Sequence, residues 1–80
     1  MNEIVVVTPT MLRATWLMRE VYKQRAELLK VISLSKRKIV MKDGNTFYFV
    51  GETEGLERLL KGYRGKVMRE AEFIKKFELK

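Results

Sequence analysis

Apolar positions along the chain fall into a few patterns, and each predicts an element. Ile4-Val5-Val6-Val7 is an unbroken β-branched run, the signature of a strand buried on both faces and so placed in the middle of a sheet. Thr8 is then positioned to cap a helix and Pro9 to open it, where the missing N–H costs nothing. Beyond them, Met11, Ala14, Met18, Val21, Leu28 and Ile32 keep three-four spacing, broadened by Leu17, Tyr22 and Leu29 and interrupted by Arg25. This predicts an amphipathic helix to about Lys30. Its opposite face, with Arg13, Arg19, Glu20, Lys23, Gln24, Glu27 and Lys30, is solvated; Trp16 lies at the edge and reads first as a surface packing contact. Val31-Ile32-Ser33-Leu34 carries no breaker, so the helix ends somewhere from Lys30 to Ser35, and a short strand is the alternative.

Residues 38–50 read as a β-hairpin around Asp43-Gly44, a pair that tolerates positive φ. A two-residue loop pairs Lys42 with Asn45, Val40 with Phe47 and Lys38 with Phe49. One face then carries Lys36, Lys38, Val40, Lys42, Asn45, Phe47 and Phe49, and the other, the expected core face, carries Arg37, Ile39, Met41, Thr46, Tyr48 and Val50. Gly51 ends the hairpin. Thr53 caps a short helix from Glu54 to about Lys61 with Leu56, Leu59 and Leu60 buried, and Gly62 stops it. Glu52, Glu54 and Glu57 are explained by the positive end of that helix rather than by a metal. Residues 66–80 fit both periods; a short strand at Lys66 to Arg69 followed by helix is expected. Together these elements predict one small α/β (α+β) domain over residues 1–80. It is a β-α-β-β-α-β-like sheet with a central hairpin, helices mainly on one face and a C-terminal helix.

Charge adds a partner class. With 17 basic against 10 acidic residues the net charge is +7, more than solubility requires, which points to an anionic partner: nucleic acid, an acidic protein or an anionic membrane surface. No run reaches the roughly 20 apolar residues of a membrane span. The start lacks the basic region of a signal peptide, so a cytoplasmic, intracellular protein is expected.

The chain has no His and no Cys, which removes the commonest general base, the strongest nucleophile and the soft metal ligands. Gly62-Tyr63-Arg64-Gly65-Lys66-Val67 has neither the spacing nor the hydroxyl of a phosphate-binding loop. Glu78-Leu79-Lys80 has the Glu-x-Lys form of some metal-dependent nucleases, a three-residue match with no acidic partner in view. A non-enzyme with no cofactor and no metal is expected.

Two resemblances bear on this. Val5-Val6-Val7-Thr8-Pro9-Thr10, Lys42-Asp43-Gly44-Asn45, Arg64-Gly65 and Met68-Arg69-Glu70-Ala71-Glu72-Phe73 follow the order of segments in the ATPase core of phage terminase large subunits and related helicases, which this order resembles. No phosphate-binding loop precedes the first strand, and Arg69 stands where that family has its magnesium-linked aspartate. The resemblance implies a scaffold that keeps nucleic-acid contact without ATP hydrolysis. Thr46-Phe47-Tyr48-Phe49-Val50 is similar to the aromatic strand of the RNA-recognition fold, which implies base stacking on Phe47 and Phe49.

The sequence therefore predicts a small basic nucleic-acid-binding protein. Lys36, Lys38, Lys42, Arg64 and Lys66 neutralise phosphates, and Phe47 and Phe49 stack on bases. The alternative is a protein-binding regulator or inhibitor that presents the same basic-aromatic surface to an acidic partner.

Overall fold

A computed structural model describes residues 2–55, 58 and 60–80. Its described elements are β1 (Glu3–Thr8), α1 (Met11–Arg25), a 3-10 turn (Ala26–Leu28), β2 (Leu29–Ser33), β3 (Lys38–Met41), β4 (Thr46–Gly51), a second 3-10 turn (Glu52–Glu54), β5 (Lys66–Arg69) and α2 (Glu70–Lys76). The strands form one mixed sheet in the order β2-β3-β4-β1-β5. β1 runs parallel to both β4 and β5, while β2-β3 and β3-β4 are antiparallel. This is an α+β domain with a C-terminal helix. The helix expected from Glu54 to Lys61 rests on Leu56, Glu57 and Leu59, which lie outside the described residues.

β1 has the place its β-branched run predicts, with a strand on each side and Ile4 to Val7 all buried. Ile4 and Val6 join the main core, where α1 contributes Ala14, Leu17, Met18 and Val21 and α2 contributes Phe73. Both helices thus cover the same face. The opposite face of the sheet takes the alternate side chains of β1. Val5 and Val7, which alternate with the core residues of β1, are 6% and 2% exposed on that side. The strand at Lys66–Arg69 and the helix after it follow the sequence reading, with Glu70 and Glu72 in the helix's first turn and Lys75 and Lys76 in its last. The chain end is held against α1, because Gln24 donates from Nε2 to the Lys80 carbonyl (3.1 Å) and accepts from the Lys80 N–H (2.9 Å).

Three expectations are corrected. First, the helix cap is Thr10 rather than Thr8: the Thr10 hydroxyl accepts from the Arg13 N–H at 3.1 Å. Thr8 stays in β1, where its hydroxyl lies 2.8 Å from the Thr10 carbonyl and 3.0 Å from the Val50 carbonyl and donates to them in turn. Second, α1 stops at Arg25, the residue that interrupted its stripe, and residues 29–33 form β2. Leu29 and Ile32 face the core from a strand as well as from a helix, and pairing with β3 satisfies their backbone.

Third, the hairpin register is shifted by one. The loop holds three residues, Lys42-Asp43-Gly44: the Gly44 N–H donates to the Met41 carbonyl (3.0 Å), and the Met41 N–H donates to the Asn45 carbonyl (2.8 Å). Gly44 has φ +95°, the left-handed position of a turn that ends in a bulge. Asp43 fixes it, with Oδ1 accepting from the Asn45 N–H (2.9 Å) and Oδ2 from the Asn45 side-chain amide (3.1 Å). Phe47 therefore pairs with Ile39, and Lys38 with Tyr48. A one-residue slip turns every side chain of a strand over. Phe47 and Phe49, each 1% exposed, share the core face with Ile39 and Met41, and Thr46, Tyr48 and Val50 turn to the other side. Two phenylalanine rings bring no polar atom into the core, whereas Thr46 and Tyr48 would carry hydroxyls that need partners there, so burial favours this register.

Candidate anion-binding cleft

The three parallel strands begin at one end of the sheet, with Glu3, Thr46 and Lys66. The segments leading into them meet there. The Thr46 N–H donates to the Asn2 carbonyl (2.8 Å), which ties the start of β4 to the residue before β1. The Tyr63 hydroxyl lies 3.0 Å from the Glu3 carbonyl and 3.2 Å from the Lys66 carbonyl, which ties the start of β5 to β1. Gly65 permits this, because a Cβ there would stand 2.2 Å from the Tyr63 hydroxyl.

Between these segments is an open cleft of about 860 Å³. Arg64 and Lys66 line it from the β5 side and Lys76 from the end of α2, with the amides of Asn2 and Asn45 and the Tyr63 hydroxyl between them. All three cations are solvent-exposed. Glu3 is the one carboxylate among the lining residues, and it already accepts from the Tyr48 hydroxyl at Oε2 (3.1 Å). Among the described residues no carboxylate pairs with Arg64, Lys66 or Lys76. Three cations around an open concavity, with the Asn2 and Asn45 side-chain amides beside them, suit an anion with many oxygen acceptors, such as phosphate.

Glu3 also raises the titration of the two tyrosines beside it, as the leading cause for Tyr48 and a secondary one for Tyr63. Tyr48 is raised above the ordinary tyrosine value, chiefly by its hydrogen bond to Glu3, with burial and the Glu3 charge adding to it. Tyr63 is raised by burial first and by the Glu3 charge second. A folded-state pKa above the unfolded one favours the protonated phenol in the fold, so this contribution is intact at neutral pH and fades as pH climbs from about 10 through the raised values. Glu3→Ala is expected to bring the Tyr48 titration back toward the ordinary value, as read by phenolate absorbance. An unmoved alkaline titration would mean that Glu3 does not govern it.

The residues singled out in the sequence part company here. Arg64 and Lys66 enter the cleft, and Lys42 stands exposed in the hairpin loop at the same end. Lys36 lies in the turn between β2 and β3 at the opposite end, and Lys38 is half-buried beside Tyr48 on the face away from the helices. Phe47 and Phe49 are closed off: their rings meet Phe73 edge-on, with centroids 5.3 and 5.2 Å away, so neither offers a face to a base. Lys76 was missed, since its place follows from how α2 docks. The Lys75-Lys76 pair is its only signal in the sequence.

At the other end of the parallel strands the carboxylates are engaged. Glu70 Oε1 accepts from Arg13 Nε, and Glu52 Oε1 accepts from Arg69 Nη1. No group of three or more potential metal ligands occurs among the described residues, and no described helix is long and apolar enough to cross a membrane. Comparison with protein-family models, with curated proteins and with solved structures gave no match for this chain.

Proposed function

We propose that this chain is a small basic, non-catalytic protein that binds nucleic acid by holding phosphates in the cleft where β1, β4 and β5 begin. The observation that carries this is the convergence of Arg64, Lys66 and Lys76, from two separate elements, on one open concavity. Lys42 extends the positive surface along the hairpin loop. The net charge of +7 supports an anionic partner, and the terminase-like order of segments makes DNA the first nucleic acid to test. Because Phe47 and Phe49 are buried, recognition runs through the backbone rather than through stacking on these rings.

Fluorescence anisotropy with single-stranded DNA, duplex DNA and RNA across a salt series tests this. Binding is expected to weaken as salt rises, because each neutralised phosphate releases counterions. Alanine at Arg64, Lys66 and Lys76 is expected to flatten the dependence of log affinity on log salt by about one unit per cation. Lys36→Ala, at the far end, leaves it unchanged. Affinity that ignores salt, or that the three cleft substitutions do not touch, would sink the reading.

A further inference from the structure

The β2 edge of the sheet has the two features that strand addition uses. β2 pairs with β3 on one side, and no other described strand lies beyond it, so its outer backbone groups face away from the ladder. Next to it, between α1 and β2, is a hollow of about 380 Å³ lined by Arg19, Tyr22, Ile32 and Leu34. Ile32 pairs with Ile39 and belongs to the helix side of the sheet; Leu34, just past the end of β2, lines the hollow with it. A strand laid against β2 would hold alternate side chains over this hollow, backbone bonds giving affinity and the hollow selecting the side chain. The lining is largely apolar and open: Tyr22 is 59% exposed and Leu34 42%.

Charge says what kind of strand fits. Along this edge the chain carries Lys30 on β2 and Lys36 in the turn after it, with not one Asp or Glu from Leu28 to Lys42, and Arg19 stands in the hollow itself. A second copy of this chain would bring the same excess of +7 to the contact. The register of β2 shifts between Leu29 and Val31, so a strand added to this edge pairs with the regular stretch from Val31 to Ser33. We infer that the β2 edge receives an extended segment of another protein, acidic and apolar in alternation. That segment sets an apolar side chain into the hollow and a carboxylate against Arg19. This surface is separate from the cleft and stands whether or not the cleft binds nucleic acid.

The test is selection of randomised short peptides on the immobilised full-length chain, followed by fluorescence polarisation of the enriched peptides. Enriched peptides are expected to alternate apolar residues with Asp or Glu and to slow backbone hydrogen exchange in residues 29–34. Arg19→Glu and Leu34→Asp, both at exposed positions, are each expected to weaken binding tenfold or more, because each leaves a partner group unpaired or buries a charge. Lys61→Glu, the same charge change elsewhere, serves as the control and has little effect. The inference is overturned if no peptide is enriched, if enriched peptides bind the Arg19 and Leu34 variants as well as the natural chain, or if protection appears elsewhere. It is equally overturned if sedimentation shows a dimer that Leu34→Asp dissociates, which makes the occupant a second copy. Displacement of the peptides by an oligonucleotide would assign the edge to nucleic acid instead.

Discussion

The Phe73→Ala protein is expected to lose about 3–5 kcal/mol of unfolding free energy, the cost of emptying a fully buried phenylalanine site. Phe73 is 0% exposed and stands at the centre of the aromatic core. Its ring meets Phe47 and Phe49 edge-on and lies 4.7 Å from Phe77, tilted by 48°. Truncation leaves three rings without a shared neighbour, and they come from a strand and a chain end that cannot easily close the gap. A domain of this size has roughly 5–15 kcal/mol in hand, so the variant retains only part of its folded population at the lower end of that range. Urea denaturation followed by far-ultraviolet circular dichroism measures this directly. A loss below about 1 kcal/mol would mean that α2 is not seated on the hairpin as described, since even Ile→Val truncations in cores reach that figure.

Gly51→Ala should have the second largest effect, about 1–3 kcal/mol and more if the backbone resists, as for overpacked cores generally. A Cβ at this position would lie 2.6 Å from the Met11 nitrogen and 2.6 Å from the Thr10 carbonyl carbon. Both are main-chain atoms in the cap and first turn of α1, so no side chain can swing aside. Gly51 also pairs with Thr8 at the end of β1, which leaves the strand little freedom to retreat. Relief therefore has to come from lifting the start of the helix, and the Thr10 cap opens with it. A lower urea midpoint, with the far end of the sheet keeping its exchange protection, is the expected outcome. Unchanged stability would show that α1 does not approach β4 this closely.

Much of this architecture could be read from the residues. The run Ile4 to Val7 announced a central strand because nothing in it suits solvent, and the short strand expected at Lys66 to Arg69 with helix after it is β5 leading into α2. Asp43-Gly44 located the hairpin, but two-residue and three-residue loops use the same residues and differ by a single step of register. That step is decided by Asp43 bonding to Asn45 and by the demand of Phe73 for ring partners some 25 positions earlier in the chain, neither of which local pattern contains. The end of α1 was hidden for a similar reason. Leu29 and Ile32 satisfy helical and strand periods alike, and only the presence of β3 settles the matter.

The site divides along the same line. Arg64 and Lys66 were legible as cations beside a glycine turn, and they do meet at the cleft. Phe47 and Phe49 were assigned to a binding face because the register placed them there, and the slip moved them inside. Lys76 joins from a helix whose docking depends on the whole aromatic cluster. A cation contributed by tertiary packing leaves no spacing to read.

The order β2-β3-β4-β1-β5 also bears on how the chain reaches its fold. β1 is synthesised first, yet both of its neighbours come from the second half of the chain. Until β4 and β5 arrive, Ile4-Val5-Val6-Val7 is an unpaired β-branched segment, of the kind most prone to intermolecular association. Closing those long loops is what limits the rate for such topologies, whereas α1 and the β3-β4 hairpin form from near neighbours. Nascent chains stalled before β4 should therefore hold a helix and at most the β2-β3 hairpin, with their most apolar stretch uncovered, and their solubility should rise only once Phe47 and Phe49 have emerged to cover it.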